Sequence, residues 1–193
     1  RKGNIYMAST SDFKNGLIFE RKNHLWKIVE FQHVKPGKGP AFVRTKIKNI
    51  RTGQVLEETF RSGEKIEVVR IEARDFNYLY NDGTNYIFMD NETYEQTELS
   101  KAQVFDVLGF LIENTPTTIA FNGEEPIEVR IPQHMSMKIA QTDPGEKGNT
   151  AQGGTKPATL ETGVTIQVPL FVQEGEIVRV DTRDKRYIER VKS

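Results

Sequence analysis

Residues 27–34 and 41–50 alternate apolar and polar side chains, the period of strands with one buried face. Between them stands Lys35-Pro36-Gly37-Lys38-Gly39-Pro40, in which Pro-Gly and Gly-Pro are turn signals. The pattern predicts a β-hairpin with Lys38 at its tip. Proline holds φ at about −65° and restricts the residue before it, so Pro36 and Pro40 limit the loop from both sides. Gly37 and Gly39 leave no side chain beside the lysine. Residues 17–19 predict a strand before the hairpin, with a turn at Asn23-His24 and Trp26, Ile28 and Val29 on the returning strand. Residues 55–60 and 66–71 predict strands after it, set off by turns at Thr52-Gly53 and Ser62-Gly63. Short strands without a long helical pattern indicate a small, SH3-like β-barrel over residues 7–70. Residues 1–6 precede Met7, read as a cloning remnant and are left out of the expected fold.

A second unit is predicted over residues 71–133. Runs at 76–80 and 85–89 flank Asn81-Asp82-Gly83, and Asp-Gly between apolar runs is a strong hairpin signal. Residues 99–114 carry a helical pattern. Val104, Val107, Leu108 and Leu111 fall at helical spacing, Phe105 and Ile112 widen the stripe, and Ser100 with Gln103 forms a capping box. The stripe is expected to pack into a core. Runs at 119–121 and 127–131, joined at Asn122-Gly123, complete an oligonucleotide-binding (OB) type barrel with one short helix. The third unit, residues 134–193, has runs at 136–141, 165–171, 176–181 and 186–191. Val168-Pro169 marks an edge or a bulge. A second OB-type barrel is expected there, although no repetition with the unit before it is visible as sequence identity. The fold class is therefore all-β, with three small barrels.

Composition narrows the function classes. Of 193 residues, 36% are hydrophobic and 28% charged, which suits small barrels better than one deep core. No apolar run approaches the ~20 residues of a membrane-spanning helix, and the start carries no signal-peptide pattern. Cysteine is absent, so disulfides and thiolate metal sites are excluded, consistent with a reducing, cytoplasmic setting. The net charge of zero conceals a division. Residues 7–70 carry 13 basic and 7 acidic side chains (+6), residues 71–133 carry 3 and 12 (−9), and residues 134–193 carry 9 and 8 (+1). A basic end beside an acidic middle suggests that part of the molecule meets a polyanion, though a solvated surface accounts for it equally.

Candidate chemistry is sparse. His24, His33 and His134 lack metal-ligand spacing, and no Gly-x-Ser-x-Gly elbow is present. Asp90, Glu92, Glu95 and Glu98 read as a solvated turn, because the central glycine of a calcium loop is missing. Lys38 is not part of a phosphate-binding P-loop, since neither Ser nor Thr follows it and no helix follows. On local chemistry alone an ordinary basic turn accounts for the loop. Residues 145–156, rich in glycine and lysine, either follow a phosphate chain or form a featureless flexible loop.

Resemblance separates these readings. Lys35-Pro36-Gly37-Lys38-Gly39, Tyr80-Asn81-Asp82-Gly83, and Lys156-Pro157-Ala158-Thr159-Leu160 followed by Gly163, Val168-Pro169, Val172 and Gly175 closely resemble bacterial elongation factor P. The match runs in order over residues 7–192. It implies three barrels in an L shape like that of tRNA, a monomer, and binding to the 70S ribosome between the P and E sites. It implies that Lys38 reaches the CCA end of the peptidyl-tRNA, so that peptide-bond formation resumes at stalled proline runs. The matching residue is modified in many members, which would make a modifying enzyme a partner. Pro36, Gly37, Gly39 and Pro40 would scaffold the loop. Lys35, Arg44, Lys46 and Lys48 would contact rRNA and tRNA backbones. Gly148, Asn149 and Thr150 would lie toward the small subunit and the mRNA codon of the E site. The family commonly has Asp where this chain has Asn149; Asn keeps an acceptor and adds a donor.

On this reading the factor is not an enzyme and needs no cofactor, metal or membrane, because the ribosome supplies the reaction and the factor supplies orientation. A general single-stranded RNA binder is the alternative, and the −9 of the second unit argues against it. A Schiff-base or nucleophilic lysine would need a desolvated amine, and a hairpin tip is the wrong place for one.

Overall fold

The computed structural model describes residues 5–145 and 153–192. Its strands fall into three antiparallel sheets that form barrel-like units. The first sheet contains β1 (Ile5–Ser9), β2 (Ile18–Arg21), β3 (His24–Val34), β4 (Phe42–Asn49), β5 (Val55–Arg61) and β6 (Lys65–Val69), in the order β1-β6-β2-β3-β4-β5. The alternation seen in sequence becomes its inner face. Val43, Thr45, Ile47 and Asn49 are buried, while the residues between them point outward. Phe13, Phe19, Trp26, Ile28 and Phe60 fill the core.

Two sequence expectations are corrected in this unit. Ile5 and Tyr6, expected to lie outside the fold, pair with Val69 and Val68, and Arg70 lies 5.5 Å from the Tyr6 ring. A strand whose partner lies some sixty residues away gives no local signal. The turn expected at Asn23-His24 sits one residue earlier, where Lys22 and Asn23 both have positive φ.

The second sheet contains β7 (Glu72–Asn81), β8 (Tyr86–Asp90), β9 (Gln96–Leu99), β10 (Pro116–Asn122) and β11 (Glu125–Arg130), in the order β11-β10-β7-β8-β9. The third contains β12 (His134–Thr142), β13 (Thr155–Leu160), β14 (Thr165–Pro169), β15 (Ile177–Asp181) and β16 (Arg186–Arg190), in the order β14-β13-β12-β15-β16. Numbered within each unit, both sheets place the first strand at the centre, the second and third on one side, and the fourth and fifth on the other. The two units thus repeat one topology that sequence identity did not reveal. Pro169 ends β14 on the sheet's edge, where a missing N–H is tolerated.

The helix expected over residues 99–114 is much shorter. The α-helix α1 covers Lys101–Val104, closed by the predicted capping box. Ser100 Oγ accepts from Gln103 N (3.3 Å), and Gln103 Oε1 accepts from Ser100 N (2.9 Å). Residues Leu108–Phe110 then form a separate 3₁₀ turn. The apolar stripe packs into a core as expected, with Val104 and Val107 buried in the second unit and Leu108 and Leu111 against the same cluster. Phe110, outside the stripe and 1% exposed, is seated in the core of the third unit. Phe105, expected to widen the stripe, is 63% exposed.

The units are joined by packing as well as by chain. Ile18, Ile50 and Val69 of the first unit meet Ile127 of the second in a buried apolar cluster. Lys27–Glu128 (2.7 Å), Arg51–Glu125 (2.6 Å) and Lys48–Asp106 (3.6 Å) cross the same junction. At the next junction, Thr182 N donates to Gln133 O (2.7 Å), and Thr182 Oγ1 donates to Pro132 O (2.8 Å).

Candidate functional site

The hairpin predicted around Lys38 is formed by β3 and β4, paired from Trp26↔Asn49 out to Val34↔Phe42. A bulge at Val29 lets Ile28 and Phe31 both face inward. Phe31 meets Phe13 edge-on (ring centroids 6.3 Å apart), His33 meets Phe31 (5.7 Å), and Phe13 meets Phe60 (5.2 Å). This aromatic series ties the outer half of β3 to the core, and sequence reading missed it because its members are far apart in the chain. Beyond the last pair, residues 35–41 leave the sheet. Lys38 is exposed. Gly39 has φ +99°, a conformation that other residues rarely adopt, so only glycine holds it without strain. Nothing lies within 4 Å of the space a Cβ would fill at Gly37 or Gly39. The loop thus presents the Lys38 amine between two glycines with open space beside each.

The outer face of β3, β4 and β5 decides which expected basic residues accompany it. Across the strands its rows are Val34–Phe42–Arg61, Gln32–Arg44–Thr59, Glu30–Lys46–Glu57 and Lys27–Lys48–Val55. Lys35 and Arg44 are exposed near the tip. Lys46, also exposed, pairs with Glu30 at 3.1 Å, and Glu57 stands opposite it on the other side. Lys48 turns to Asp106 of the second unit. The four expected backbone contacts therefore do not form one basic stripe.

Gly148, Asn149 and Thr150 lie outside the described residues. Lys156, at the end of that loop, is 8% exposed and its Nζ donates to Asp143 O, so it is not available to follow a phosphate chain. Among the described residues no group of three or more His, Asp or Glu side chains is placed to hold a metal ion. A cleft where the three units meet is lined by Lys27, Lys48, Glu128, Arg130, Arg183 and Lys185, and none of the loop residues 35–41 lines it.

Three sequence models of one family cover the chain in order. The KOW-like domain of elongation factor P matches residues 9–66, its OB domain residues 71–129, and its C-terminal domain residues 135–190. The chain belongs to the elongation factor P family. Elongation factor P of Corynebacterium kroppenstedtii is 51% identical over 185 residues, covering 96% of this chain and 99% of that protein. Elongation factor P of Rhodococcus jostii is 52% identical over 187 residues, covering 97% and 100%. Among solved structures, eukaryotic translation initiation factor 5A from Methanococcus jannaschii aligns with a TM-score of 0.51 and 22% identity. It covers 67% of this chain and 96% of that one, a likeness of fold. Within this family of translation elongation factors, the Lys38 hairpin belongs to the KOW-like domain, and α1 to the OB domain.

Proposed function

We propose that this protein acts in the cytoplasm as a monomeric translation factor that binds the 70S ribosome between the P and E sites. There it promotes peptide-bond formation on peptidyl-tRNA stalled at consecutive prolines. The observation that carries the reading is the exposed amine of Lys38 on a loop held by the β3–β4 hairpin and flanked by two prolines. An amine in that position can donate to the sugar-phosphate of the tRNA 3′ end. Ordering that end lowers the entropy lost on reaching the transition state, and no acid or base of the factor takes part. The protein is then a helper of the ribosome's catalysis rather than an enzyme. The third-unit loop containing Asn149 would face the small subunit and the E-site codon.

Lys38 works without modification or cofactor on this reading. Pro36 and Pro40 limit the states the free loop visits, so less entropy is lost on docking than in a looser loop that needs a longer side chain.

The test is reconstituted translation of a message with three consecutive proline codons. Lys38→Ala should keep its circular dichroism spectrum and lose the stimulation. Full stimulation by that variant would remove Lys38 from the mechanism.

A further inference from the structure

We infer that the cleft where the three units meet is a binding site for a nucleoside triphosphate, with Arg183 and Lys185 taking the phosphates and Phe105 the base. The ribosome reading above makes no use of this cleft, and the inference stands or falls apart from it.

The cleft has a volume of about 590 Å³, within the range of small-ligand sites. Its basic residues come from all three units. Lys27 and Lys48 belong to the first, Arg130 to the second, and Arg183 and Lys185 to the third. Two acidic residues, Glu128 and Asp106, share the lining, so it carries an excess of three positive charges. The second unit has only 3 basic side chains against 12 acidic ones, yet one of the three stands here. These cations lie far apart along the chain and gather only in the folded molecule.

The carboxylates of the cleft are already engaged. Glu128 accepts from Lys27 (2.7 Å) and from Arg130 (2.6 Å), and Asp106 lies 3.6 Å from Lys48. Arg183 and Lys185 are different. Both are exposed, and neither takes part in an ion pair among the described residues. Asp184, between them in the chain, pairs with Arg186 at 3.8 Å instead. Like charges sharing one cleft repel, and an anion between them removes that cost.

Chemistry then selects the anion. The Arg183 guanidinium is a planar fork of donors matched to phosphate oxygens, and Lys185 adds a point charge suited to the same group. Phe105 lines the same cleft with 63% of its surface exposed, although phenylalanine is ordinarily a buried residue. Val107, Ile127 and Val129 add buried apolar side chains to the lining. An inorganic anion would leave the ring in water, and an apolar ligand would leave the two cations unpaired. A nucleotide joins a flat aromatic base to a chain of phosphates, and a base stacks on an aromatic side chain whatever its identity. A ligand so held spans the second and third units, and its binding should raise the melting temperature.

The experiment is isothermal titration of the full-length protein, without ribosomes, with ATP, GTP, AMP and inorganic tripolyphosphate. ATP and GTP should bind at one site per chain, and AMP roughly tenfold more weakly because it brings fewer charged acceptors. The Arg183→Ala/Lys185→Ala double variant should lose roughly tenfold or more in affinity for ATP and for tripolyphosphate alike. Phe105→Ala should lose roughly tenfold for ATP and nothing for tripolyphosphate, the effect of removing a stacking platform. Without ligand, both variants should melt with the parent, because all three side chains are exposed.

No saturable heat with either ATP or GTP would overturn the inference. So would an ATP affinity that the double variant leaves intact, which would put the nucleotide elsewhere. Tripolyphosphate binding as tightly as ATP, with Phe105→Ala indifferent, would reduce the cleft to a sink for charge and remove the nucleotide. If the double variant loses ribosome affinity while the parent binds neither nucleotide, the charge of the cleft meets RNA and the inference falls.

Discussion

Glu128 shows how one residue couples the halves of the molecule. Its burial raises the energy of the carboxylate, but a 2.7 Å hydrogen bond from Lys27 of the first unit and contacts from Arg130 more than offset this. Its pKa is therefore below the usual 4.5. A depressed carboxylate pKa contributes stability that is present above the unfolded value and is lost as pH falls through the folded one. Asp82, Asp90 and Asp181 shift the same way for a local reason. Each accepts backbone N–H groups in its own turn, from Thr84 and Asn85, from Glu92 and Thr93, and from Arg183 and Asp184. Melting temperature should accordingly be flat near neutrality and fall as pH drops below about 4.5. Glu128→Gln should cost roughly 1–3 kcal/mol at pH 7, the scale of charged hydrogen bonds. It should also flatten the acid limb. Thermal denaturation of both proteins from pH 7 to pH 3 measures this, and an identical acid limb would exclude Glu128 as a source of acid lability.

Two short elements carry the next scale. In the Lys38 loop, Pro40→Gly frees one φ angle without removing a core contact, since Pro40 is exposed. Proline rescue should drop severalfold in the translation assay while the melting temperature stays close to that of the parent. Intact-mass spectrometry of protein from its native host should show no adduct on Lys38. An adduct whose removal abolishes rescue would show that loop stiffness does not replace modification. The Leu108–Phe110 turn is the second element. A Cβ at Gly109 would stand 2.6 Å from Val164 Cγ2, so the glycine permits close docking of the second unit on the third. Gly109→Ala should destabilise by about 1–2 kcal/mol through overpacking. Adding Val164→Ala should recover most of that loss, a coupling that a double-mutant cycle in urea would reveal.

At the scale of the whole molecule, apolar burial and ion pairs both join the first two units, and magnitudes distinguish them. Ile127 is 1% exposed in the junction cluster, and Ile127→Ala should cost about 2–4 kcal/mol. The Arg51–Glu125 pair is at the surface, with side chains 73% and 42% exposed. Arg51→Ala should therefore cost less than about 1 kcal/mol, and less still in high salt. Urea denaturation of the two variants would test the order, and the reverse order would make electrostatics the main cement. A junction held by packing keeps its geometry at the ionic strengths where ribosome contacts weaken. Salt dependence of ribosome binding then reports on charged surface contacts and not on loosening of the factor.

The sequence by itself determined the Lys38 hairpin, the Asn81-Asp82-Gly83 turn and the capping box at Ser100, because each is written in neighbouring residues whose backbone preferences act locally. It also determined the all-β class, through alternation and frequent turn residues, and the family, through ordered motifs along most of the chain. Strand β1 and the shared topology of the second and third units were decided only by the tertiary structure, since both depend on pairing between distant segments. So was the end of α1. Helical spacing cannot say that Val107 and Phe110 enter different cores. The same limit governs charge. Arg44, Lys46 and Lys48 are equivalent in sequence, two residues apart on one strand. Only the register with Glu30 and Glu57, and the approach of Asp106, leaves Arg44 uncompensated and places Arg61 beside it.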